Sequence, residues 1–348
     1  MIHPLILEDL AEIVSCLDCS RLHGRAILIS GASGFLPAYM VESLLYFNET
    51  RNGDCRVIGI VRDLAKAKER FRAYSGRPDL VLLQADVSRP FEISERCDLI
   101  IHAASPASPK FFGTDPVGIM RANILGTHQL LELARTWGSE GFLLFSSGEV
   151  YGQVRPDQIP SKETDYGQID ILNPRSCYAE SKRASETLAV SYLRQFGVPC
   201  RIVRPFHTYG PGMALDDGRV FADFVRDIVT RRNLVLRSDG KAVRAFCYLA
   251  DAVRGFFTVL TRGESGQAYN VGNPAGALRI AELAELLVSL FPELGLKVER
   301  AEHPAAGYLP SQISVNIPDI SRLAALGWQP RYSPEDGFTR TIRSFSDH

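Results

Sequence analysis

Tyr178 and Lys182 lie four positions apart, at the start of a segment whose pattern predicts a helix over 179–195, so both side chains project from one face. A lysine ammonium beside a phenol, with a cationic nicotinamide ring close by, lowers the phenol pKa from its usual value of about 10. Tyr178 can then accept the proton of a hydroxyl group while a hydride leaves the same carbon, and return it in reverse. The pair therefore predicts reversible oxidation of an alcohol with a nicotinamide cofactor.

Two serines and a glutamate follow an apolar run that predicts a buried strand over 142–146. A serine at the end of this strand can hold the same oxygen as Tyr178, and the family resemblance described below implies that this serine is Ser147, with Ser146 in a structural role. Glu149 has two interpretations, a surface residue of the loop or a proton-handling group of the site. The residues predicted to be catalytic are Ser147, Glu149, Tyr178 and Lys182.

A glycine-rich turn follows the first predicted strand, 26–30, and opens a helix. Glycine lets the backbone turn tightly and approach a pyrophosphate, whose charge is stabilised by the helix N-terminus. Pro37 replaces the third glycine of this motif, and proline is tolerated in a first helical turn. The turn predicts a dinucleotide site that includes Gly31, Ser33, Gly34, Phe35 and Leu36.

The second predicted strand, 56–61, is followed by Arg62 and Asp63. An acid at this place accepts a hydrogen bond from the ribose 2′-hydroxyl of NAD, whereas an arginine suits the 2′-phosphate of NADP. Because both residues are present, the predicted cofactor is NAD, and NADP stays open. The predicted cofactor-binding set is completed by Asp86, Val87, Ala103, Ala104, Asn123, Tyr178, Lys182 and Pro205.

Strand-like and helix-like segments alternate through most of the chain and would position these residues. Apolar strands are predicted at 26–30, 56–61, 80–83, 99–102, 142–146 and 200–203. Helices are predicted at 39–47, 119–136 and 179–195 and, in the mixed pattern beyond 205, near 220–231, 280–290 and 318–328. The alternation predicts an α/β fold with a doubly wound parallel sheet of the Rossmann type, covered by helices on both faces.

The predicted organisation has three parts. Residues 1–25 form an N-terminal helical appendage, with one helix over 5–17, and residues 26–204 form an NAD(P)-binding Rossmann domain. Residues 205–348 form a smaller C-terminal lobe that mainly binds substrate and returns some segments to the Rossmann domain.

The charge of the 348-residue chain is balanced, with 39 basic and 40 acidic residues and a net charge of −1. Without a basic arm or an apolar run of about 20 residues, neither a nucleic-acid nor a membrane partner is expected. Seven scattered cysteines predict reduced thiols and a cytoplasmic protein. The lone C-x-x-C of Cys16 and Cys19 lacks a second pair, so no metal site is expected.

Motifs between about residue 26 and about residue 343 carry a family resemblance. They are GASGF at the glycine turn, IHAA at 101–104, Asn123, SSGEVYG at 146–152, YAESK at 178–182, RPFHTYGP at 204–211 and RAF at 244–246. The chain resembles the extended short-chain dehydrogenases/reductases that act on nucleotide sugars. This resemblance implies catalytic roles for Ser147, Tyr178 and Lys182, a diphosphate contact by Arg244, and a homodimer. The predicted substrate-binding residues are Ser105, Ser147, His207, Arg219 and Arg244.

Within that family the sequence is most similar to the UDP-glucuronate decarboxylases. The similar segments are HAASPASP at 102–109, NPRSCYAESKR at 173–183 and GPGMALDDGRVFADF at 210–224. Such enzymes oxidise C4 of the sugar, release carbon dioxide from the resulting β-keto acid, protonate the enolate and return the hydride, so that NAD is regenerated. The resemblance implies this activity, a 4-keto intermediate, and the decarboxylase glutamate position for Glu149.

Other activities stay open on the same residues. Gly148 occupies the place of the acid that expels water in thymidine-diphosphate-glucose 4,6-dehydratases, but GDP-mannose 4,6-dehydratases lack that acid and bind NADP through an arginine, which Arg62 fits. His207 stands where relatives usually carry an asparagine. The alternatives are a nucleotide-sugar 4,6-dehydratase, a 4-epimerase, a net 4-keto reductase and, outside catalysis, an NAD(P)-binding sensor on the same fold.

Overall fold

The computed structural model describes residues 2–301 and 313–346 and contains fourteen strands within those residues. They are β1 (Ala26–Ser30), β2 (Arg56–Val61), β3 (Leu80–Gln84), β4 (Leu99–His102), β5 (Gly141–Phe145), β6 (Cys200–Pro205), β7 (Thr208–Tyr209), β8 (Leu234–Leu236), β9 (Val243–Ala245), β10 (Cys247–Tyr248), β11 (Ala268–Val271), β12 (Ala277–Arg279), β13 (Val298–Arg300) and β14 (Val315–Asn316). Seven strands form one sheet in the order β11-β6-β5-β4-β1-β2-β3. Every neighbouring pair in it is parallel. The predicted doubly wound parallel sheet is confirmed.

Successive residues of the central strands enter two different apolar clusters. Ile27 and Ile29 of β1 pack into one cluster, whereas Leu28 between them packs into the other. Side chains alternate between the two faces of a strand, so both faces of this sheet are buried. This explains why the strands are almost continuously apolar in sequence.

Eleven helices within the described residues cover the sheet and build the rest of the molecule. They are α1 (Pro4–Ser15), α2 (Cys19–Leu22), α3 (Phe35–Arg51), α4 (Leu64–Arg70), α5 (Pro116–Trp137), α6 (Cys177–Phe196), α7 (Val220–Val229), α8 (Leu249–Arg262), α9 (Ile280–Ser289), α10 (Ser321–Ala324) and α11 (Pro334–Ser346). None of the helices among these residues is long and apolar enough to cross a membrane. α5 and α6 extend beyond their predicted limits because local caps set their ends: Asp115 accepts a hydrogen bond from the Gly118 N–H at 3.0 Å, and Gly197 ends α6 at φ +73°.

The C-terminal half differs most from its sequence pattern. The helix predicted over 318–328 is wrong for most of its length, because only Ser321–Ala324 is helical and Gly327, at φ +86°, turns the chain away. α8 and β11 were not predicted, and β11 is the seventh strand of the main sheet. α8 contains a central glycine and several β-branched and aromatic residues, which disfavour a helix locally, but nearly all of it is buried. Tertiary packing therefore overrides local propensity here.

The N-terminal helix is packed into the main core. Leu10 and Ile13 of α1 are fully buried in the cluster that also contains α3 and α8 side chains. Asp9, also fully buried, accepts hydrogen bonds from the hydroxyls of Tyr39 (3.0 Å) and Tyr248 (2.7 Å) and from Arg340 of α11 (2.8 Å). α1 therefore joins the first Rossmann helix to the C-terminal helix through one buried carboxylate.

Replacing Asp9 by alanine is expected to lower the free energy of unfolding by about 3 kcal/mol, because it leaves Arg340 and two buried hydroxyls without their acceptor. Glu8→Ala is the matched control, since Glu8 pairs with the same arginine at 3.0 Å but is largely exposed. Exposed ion pairs contribute about 0–1 kcal/mol, so this control should change stability little. Urea unfolding midpoints at an unchanged slope measure both effects. Equal losses in the two variants would contradict the assignment.

Candidate active site

A large cleft opens at the carboxyl ends of the parallel strands, where β1 and β4 are neighbours and the chain winds away in opposite directions. Its volume is about 1280 Å³, which exceeds the ~300–1000 Å³ of sites for a single small molecule. All of the predicted site residues except Asn123 line it: Gly31, Ser33, Gly34, Phe35, Leu36, Arg62, Asp63, Asp86, Val87, Ala103, Ala104, Ser105, Ser147, Glu149, Tyr178, Lys182, Pro205, His207, Arg219 and Arg244. Their individual roles stay predictions.

The turn after β1 forms a cradle that only glycine permits. Gly31 lies in the left-handed region at φ +69°, and a Cβ atom there would approach the Cα of Ala104 to 2.8 Å. Gly34 caps the N-terminus of α3 and donates its N–H to the Gly31 carbonyl at 2.7 Å. Backbone amides at a helix N-terminus next to an open turn fit the pyrophosphate of a dinucleotide.

The last residue of β1 fixes the loop that follows β4. The Ser30 hydroxyl accepts hydrogen bonds from the backbone N–H groups of Ala103 and Ala104, at 3.2 Å each, and lies 2.7 Å from a ring nitrogen of His102. Burial lowers the pKa of His102 to about 3, with a smaller contribution from the charge of Lys182. His102 is therefore a neutral part of the support beneath the cofactor cradle.

The adenosine end of the cleft contains Arg62, Asp63 and Asp86. The Asp63 carboxylate caps α4 by accepting from the Lys66 N–H at 3.0 Å, whereas Arg62 is exposed and lines the cleft. Burial acts to raise the pKa of Asp86, but hydrogen bonds from Ser88 and the nearby charge of Arg62 hold it below its usual value. β2 is therefore followed by an exposed arginine, Arg62, and by an acid, Asp63, that caps α4.

Tyr178 is held between a phenylalanine and the strand-end loop. Its ring stacks on Phe112 with 5.3 Å between the centroids and 19° between the planes. The guanidinium of Arg175 lies 5.3 Å from the centroid of Phe112, and the ammonium of Lys182 lies 5.8 Å from that of Tyr178. Aromatic and cation–π contacts of this kind fix ring orientation. The phenol is therefore presented to the cleft by its neighbours as well as by its helix.

Burial dominates the protonation of this pair. It raises the pKa of Tyr178 to about 12, against the opposing effects of a hydrogen bond with Ser147 and the charge of Arg219. It lowers the pKa of Lys182 to about 7, and the ammonium donates to the Phe145 carbonyl at 2.7 Å. Without a bound cation the phenol is thus protonated, and the positive charges around it are what must lower its pKa for catalysis.

Ser147 and Glu149 follow β5 in a short 3₁₀ turn, 148–151. The Ser147 hydroxyl accepts from the Glu149 N–H at 3.2 Å and lies close enough to Tyr178 to lower the pKa of the phenol. Glu149 is half-buried, and its charge acts on the pKa of Tyr178, so its carboxylate lies near the phenol. Within the described residues no side chain donates to that carboxylate. Its position lining the cleft differs from the surface-loop interpretation.

The part of the cleft that is built by the C-terminal segments is rich in arginine. The guanidinium of Arg244 donates to the carbonyls of Val243 and Ile313 at 2.8 Å and of Ser314 at 3.2 Å. Arg219 donates to Asp217 at 2.6 Å. Each guanidinium therefore contacts the protein's own chain. The motif alone does not indicate these structural contacts.

His207 is partly buried where it lines the same part of the cleft. Phe221 and Phe246 pack edge-on around its ring, and burial, together with the charges of Arg244 and Arg219, lowers its pKa far below the usual value. Its Nδ1 atom has no hydrogen-bond partner among the described residues. A neutral imidazole with an unpaired nitrogen is able to bind a substrate hydroxyl or phosphate oxygen.

Two loops meet across the mouth of the cleft. The loop after β4 reaches the segment 216–217, where the Lys110 ammonium donates to the Asp216 carboxylate at 3.0 Å and to its carbonyl at 3.2 Å. The Ser108 hydroxyl donates to the Asp217 carbonyl. These contacts, which we call the strap, connect the loop after β4 to the C-terminal segments at the cleft.

Asn123 lies apart from the cleft. Its amide donates to the Ser181 hydroxyl at 2.8 Å, and Ser185 donates to its carbonyl at 2.9 Å, so it joins α5 to α6 directly below Tyr178. It is not among the described residues that line the cleft, and its cofactor role stays a prediction.

Several residues of the cleft were missed by the sequence analysis: Arg89, Lys110, Phe112, Arg121, Arg175, Arg226 and Arg237. Six of them are basic, and lysines and arginines outnumber aspartates and glutamates along the described lining. A basic lining fits two ligands with several phosphates. Two motifs noted above could have indicated three of these residues. HAASPASP ends directly before Lys110, close to Phe112, and NPRSCYAESKR contains Arg175.

A profile described as the NAD dependent epimerase/dehydratase family matches residues 27–272, well over half of the chain. The chain belongs to this family. UDP-glucuronic acid decarboxylase 3 of Arabidopsis thaliana is 35% identical over 312 residues, which cover 89% of this chain and 86% of that protein. UDP-glucuronic acid decarboxylase 1 of Xenopus tropicalis is 31% identical over 325 residues, covering 92% of this chain and 72% of the relative. The predicted family is confirmed.

Solved structures with the same fold include two further kinds of family member. UDP-glucuronic acid 4-epimerase of Bacillus cereus, with UDP-glucuronic acid and NAD, superimposes with a TM-score of 0.76 at 22% identity and covers 92% of this chain and 98% of its own. dTDP-glucose 4,6-dehydratase of Bacillus anthracis, with NAD, gives 0.75 at 19% identity and covers 92% and 96%. At this identity the likeness concerns the fold.

Replacing Arg244 by alanine is expected to raise KM for a nucleotide sugar by about 10- to 100-fold, since hydrogen bonds to charged groups contribute about 1.5–3 kcal/mol. The carbonyls of Ile313 and Ser314 also lose their donor, so the melting temperature should fall as well. Arg279→Ala, an exposed arginine on the neighbouring β12, is the control. An unchanged KM with a lower melting temperature would limit Arg244 to its structural contacts.

Proposed function

We propose that this chain is an NAD-dependent decarboxylase of a UDP-uronic acid, acting through a 4-keto intermediate, with UDP-glucuronate as the expected substrate. The observation that carries the proposal is the convergence of Ser147, Glu149, Tyr178 and Lys182 beside the glycine cradle in one cleft. Support comes from the identity of about a third with UDP-glucuronic acid decarboxylases over most of both chains.

The residues divide the chemistry among themselves. When bound, the nicotinamide supplies the acceptor and later the donor of the hydride at C4 of the sugar. Ser147 and Tyr178 bind the C4 oxygen, and Tyr178 accepts its proton. Once C4 is a ketone, the carboxylate is β to it, and both hydroxyls can donate to the enolate oxygen that forms as carbon dioxide leaves. Tyr178 then returns its proton to O4.

A 4-epimerase is the second candidate, supported by the shared fold of the solved UDP-glucuronic acid 4-epimerase. It would use the same residues on the C4 oxygen but would have no proton to exchange at C5. Glu149, half-buried beside Tyr178 and without a side-chain donor among the described residues, favours the decarboxylase.

The same proposal includes a homodimer in the cytoplasm. α5 and α6 carry exposed apolar side chains that a second copy would cover: Val117, Met120, Leu125, Val190 and Phe196. All seven cysteines are free thiols, which suits a reducing compartment. Light scattering of the purified chain measures the oligomeric state.

The test is a panel of nucleotide sugars incubated with the protein and NAD or NADP, with products weighed by mass spectrometry. Loss of carbon dioxide from UDP-glucuronate with NAD is the expected result. Loss of water would indicate a dehydratase, an unchanged mass with a new stereoisomer an epimerase, and net consumption of reduced cofactor a reductase. Cofactor binding without any product would indicate the non-enzyme alternative, an NAD(P)-binding sensor.

A further inference from the structure

Decarboxylation consumes one proton, and this inference rests on the proposed function. The bond between C5 and the carboxylate breaks, its electron pair passes into the C4 ketone, carbon dioxide leaves, and a new C5–H bond forms. The hydride taken from C4 returns to C4, and the proton that Tyr178 accepts from O4 returns to O4. Neither can supply the hydrogen at C5, so each turnover needs one proton from solvent.

The main mouth of the cleft is a poor route for that proton during the reaction. The cleft then holds a dinucleotide and a nucleotide sugar, and the strap crosses it through Lys110 and Asp216. Excluding water from the sugar also protects the reactive ketone and enolate. A second route between solvent and C5 is therefore needed.

Glu149 separates the main cleft from a second, smaller cavity. Only two of the described residues, Glu149 and Arg175, line both spaces. The second cavity is lined by the 3₁₀ turn, by the loop around Gln168 and by the start of α6. Glu149, which lines the main cleft, is thus also part of the wall of a separate cavity.

The second cavity is suited to water. Its volume is about 40 Å³, and an enclosed water needs roughly 10–15 Å³ of such space, so about two or three molecules fit. Six of its ten described lining residues are polar or charged, among them Gln153, Gln168, Asn173 and Ser176, and the other four are glycine or apolar. Gln153 and Gln168 are exposed residues whose backbones pair at 2.9 and 3.0 Å, so the cavity reaches the surface.

The walls of this cavity are fixed by one arginine of α6. Arg183 donates to the Val150 carbonyl at 2.7 Å and to the Gly167 carbonyl at 3.0 Å, which holds the turn and the loop opposite it at a set distance. Polar walls held in this way keep the waters within hydrogen-bonding distance of each other and of Glu149.

We propose that the cavity behind Glu149 is a proton route, in which ordered water carries a solvent proton to the Glu149 carboxyl group for delivery to C5 of the sugar. Glu149 donates to C5 as the enolate collapses and is reprotonated from the cavity, while the main cleft stays closed. An epimerase, which exchanges no proton at C5, has no use for such a route.

Filling the cavity tests the proposal. Ala179, a buried residue of α6, lines the cavity, so Ala179→Leu inserts apolar atoms where the waters would lie. Ala179→Ser, which keeps the size and adds a polar group, is the matched control.

A second test is needed because the overpacking caused by the leucine costs about 1–3 kcal/mol of stability. The double variant Gln153→Leu with Gln168→Leu removes polar groups without filling space. Single turnovers of UDP-glucuronate with NAD in D₂O report reduced nicotinamide first and C5-deuterated product later.

We expect Ala179→Leu to slow the formation of C5-deuterated product by about 10- to 100-fold. This loss is smaller than the ~10²–10⁴-fold that a positioned proton-transfer group contributes, because Glu149 itself is still present. Formation of reduced nicotinamide should keep its wild-type rate, and Ala179→Ser should resemble the wild type. In a Glu149→Gln background the leucine should cause no further loss, because both changes interrupt one path. Equal slowing of both stages, no slowing, or additive losses would overturn the proposal. A wild-type chain that releases no carbon dioxide would instead overturn the proposed function, and this inference with it.

Discussion

Replacing Tyr178 by phenylalanine is expected to lower turnover of the nucleotide sugar by about 10²–10⁴-fold, the range that a positioned proton-transfer group contributes. The substitution removes only the hydroxyl. The ring keeps its stack on Phe112, and α6 keeps Lys182 in place, so cofactor affinity should stay close to that of the unchanged chain. Steady-state rates and cofactor titration by calorimetry measure the two effects separately.

The pH dependence of the same residue follows from its surroundings. Burial raises the pKa of Tyr178 to about 12 in the cofactor-free chain. A cationic nicotinamide ring beside the phenol favours the phenolate, so cofactor binding should lower that pKa. Because the phenolate is the form that accepts a proton, sugar oxidation should accelerate as the pH rises toward the lowered pKa and level off above it. Ultraviolet titration of tyrosinate, with and without NAD, measures the shift.

Tyr166→Phe is the matched control for both experiments, since Tyr166 is exposed on a surface loop. It should leave the rate and the cofactor-dependent titration unchanged. If Tyr178→Phe keeps near-normal turnover, or if the NAD-dependent tyrosinate signal persists in it, the proton belongs to another group.

The part of the site that follows strand ends could be predicted from sequence. Parallel strands of a doubly wound sheet finish at one edge, so residues at or just after their ends, such as Gly31, Ala103, Ser147 and Pro205, must converge there once the strands are recognised. The strands themselves were recognisable because both faces of the sheet are buried and the runs are apolar throughout. The chemistry therefore follows from topology at these positions.

The rest of the site depends on loops that meet only in three dimensions. Phe112 and Arg175 lie in separate loops, and no spacing rule places them against Tyr178. The strap likewise joins residues more than a hundred positions apart, Lys110 and Asp216. Such contacts are set by how long connections pack over the sheet edge, and sequence periodicity carries no information about that.

Buried polar residues were the second group whose contacts could not be predicted from the sequence. Asn123 was predicted to bind the cofactor, and in the structure its side-chain nitrogen and its backbone carbonyl both join α5 to α6, so its cofactor role stays a prediction. Asp9 lies in a segment predicted as an appendage, yet it binds Tyr39, Tyr248 and Arg340. A polar residue in sequence does not state whether its partner will be a ligand or the protein's own chain, since both satisfy the same hydrogen-bonding requirement.

Glu149→Gln is expected to slow product formation from UDP-glucuronate by about 10²–10³-fold while sugar oxidation continues. Glutamine keeps the shape of the side chain and its capacity to hydrogen-bond, but it has no acidic proton to deliver to C5. Reduced nicotinamide should therefore accumulate on the enzyme during a single turnover, whereas in the unchanged chain it should form and disappear. Absorbance of the reduced cofactor and mass analysis of quenched samples follow the two stages.

Glu140→Gln serves as the control, because Glu140 is exposed, pairs with Arg25 at 2.8 Å and lies away from the cleft. It should leave both stages unchanged. Glu149→Asp, which keeps an exchangeable proton on a shorter side chain, should recover part of the lost rate, and a purely structural glutamate would not show this partial rescue.

The pattern of loss decides which chemistry the glutamate performs. A slow second stage with a normal first stage requires a group that acts after C4 is oxidised, as a decarboxylase does. Equal slowing of both stages would place Glu149 in support of Tyr178 and Ser147, and an undiminished rate would return it to the surface-loop interpretation. For an epimerase the same substitution should leave inversion at C4 almost intact, because the hydride and the O4 proton pass between the sugar, the cofactor and Tyr178 without the help of a second carboxylate.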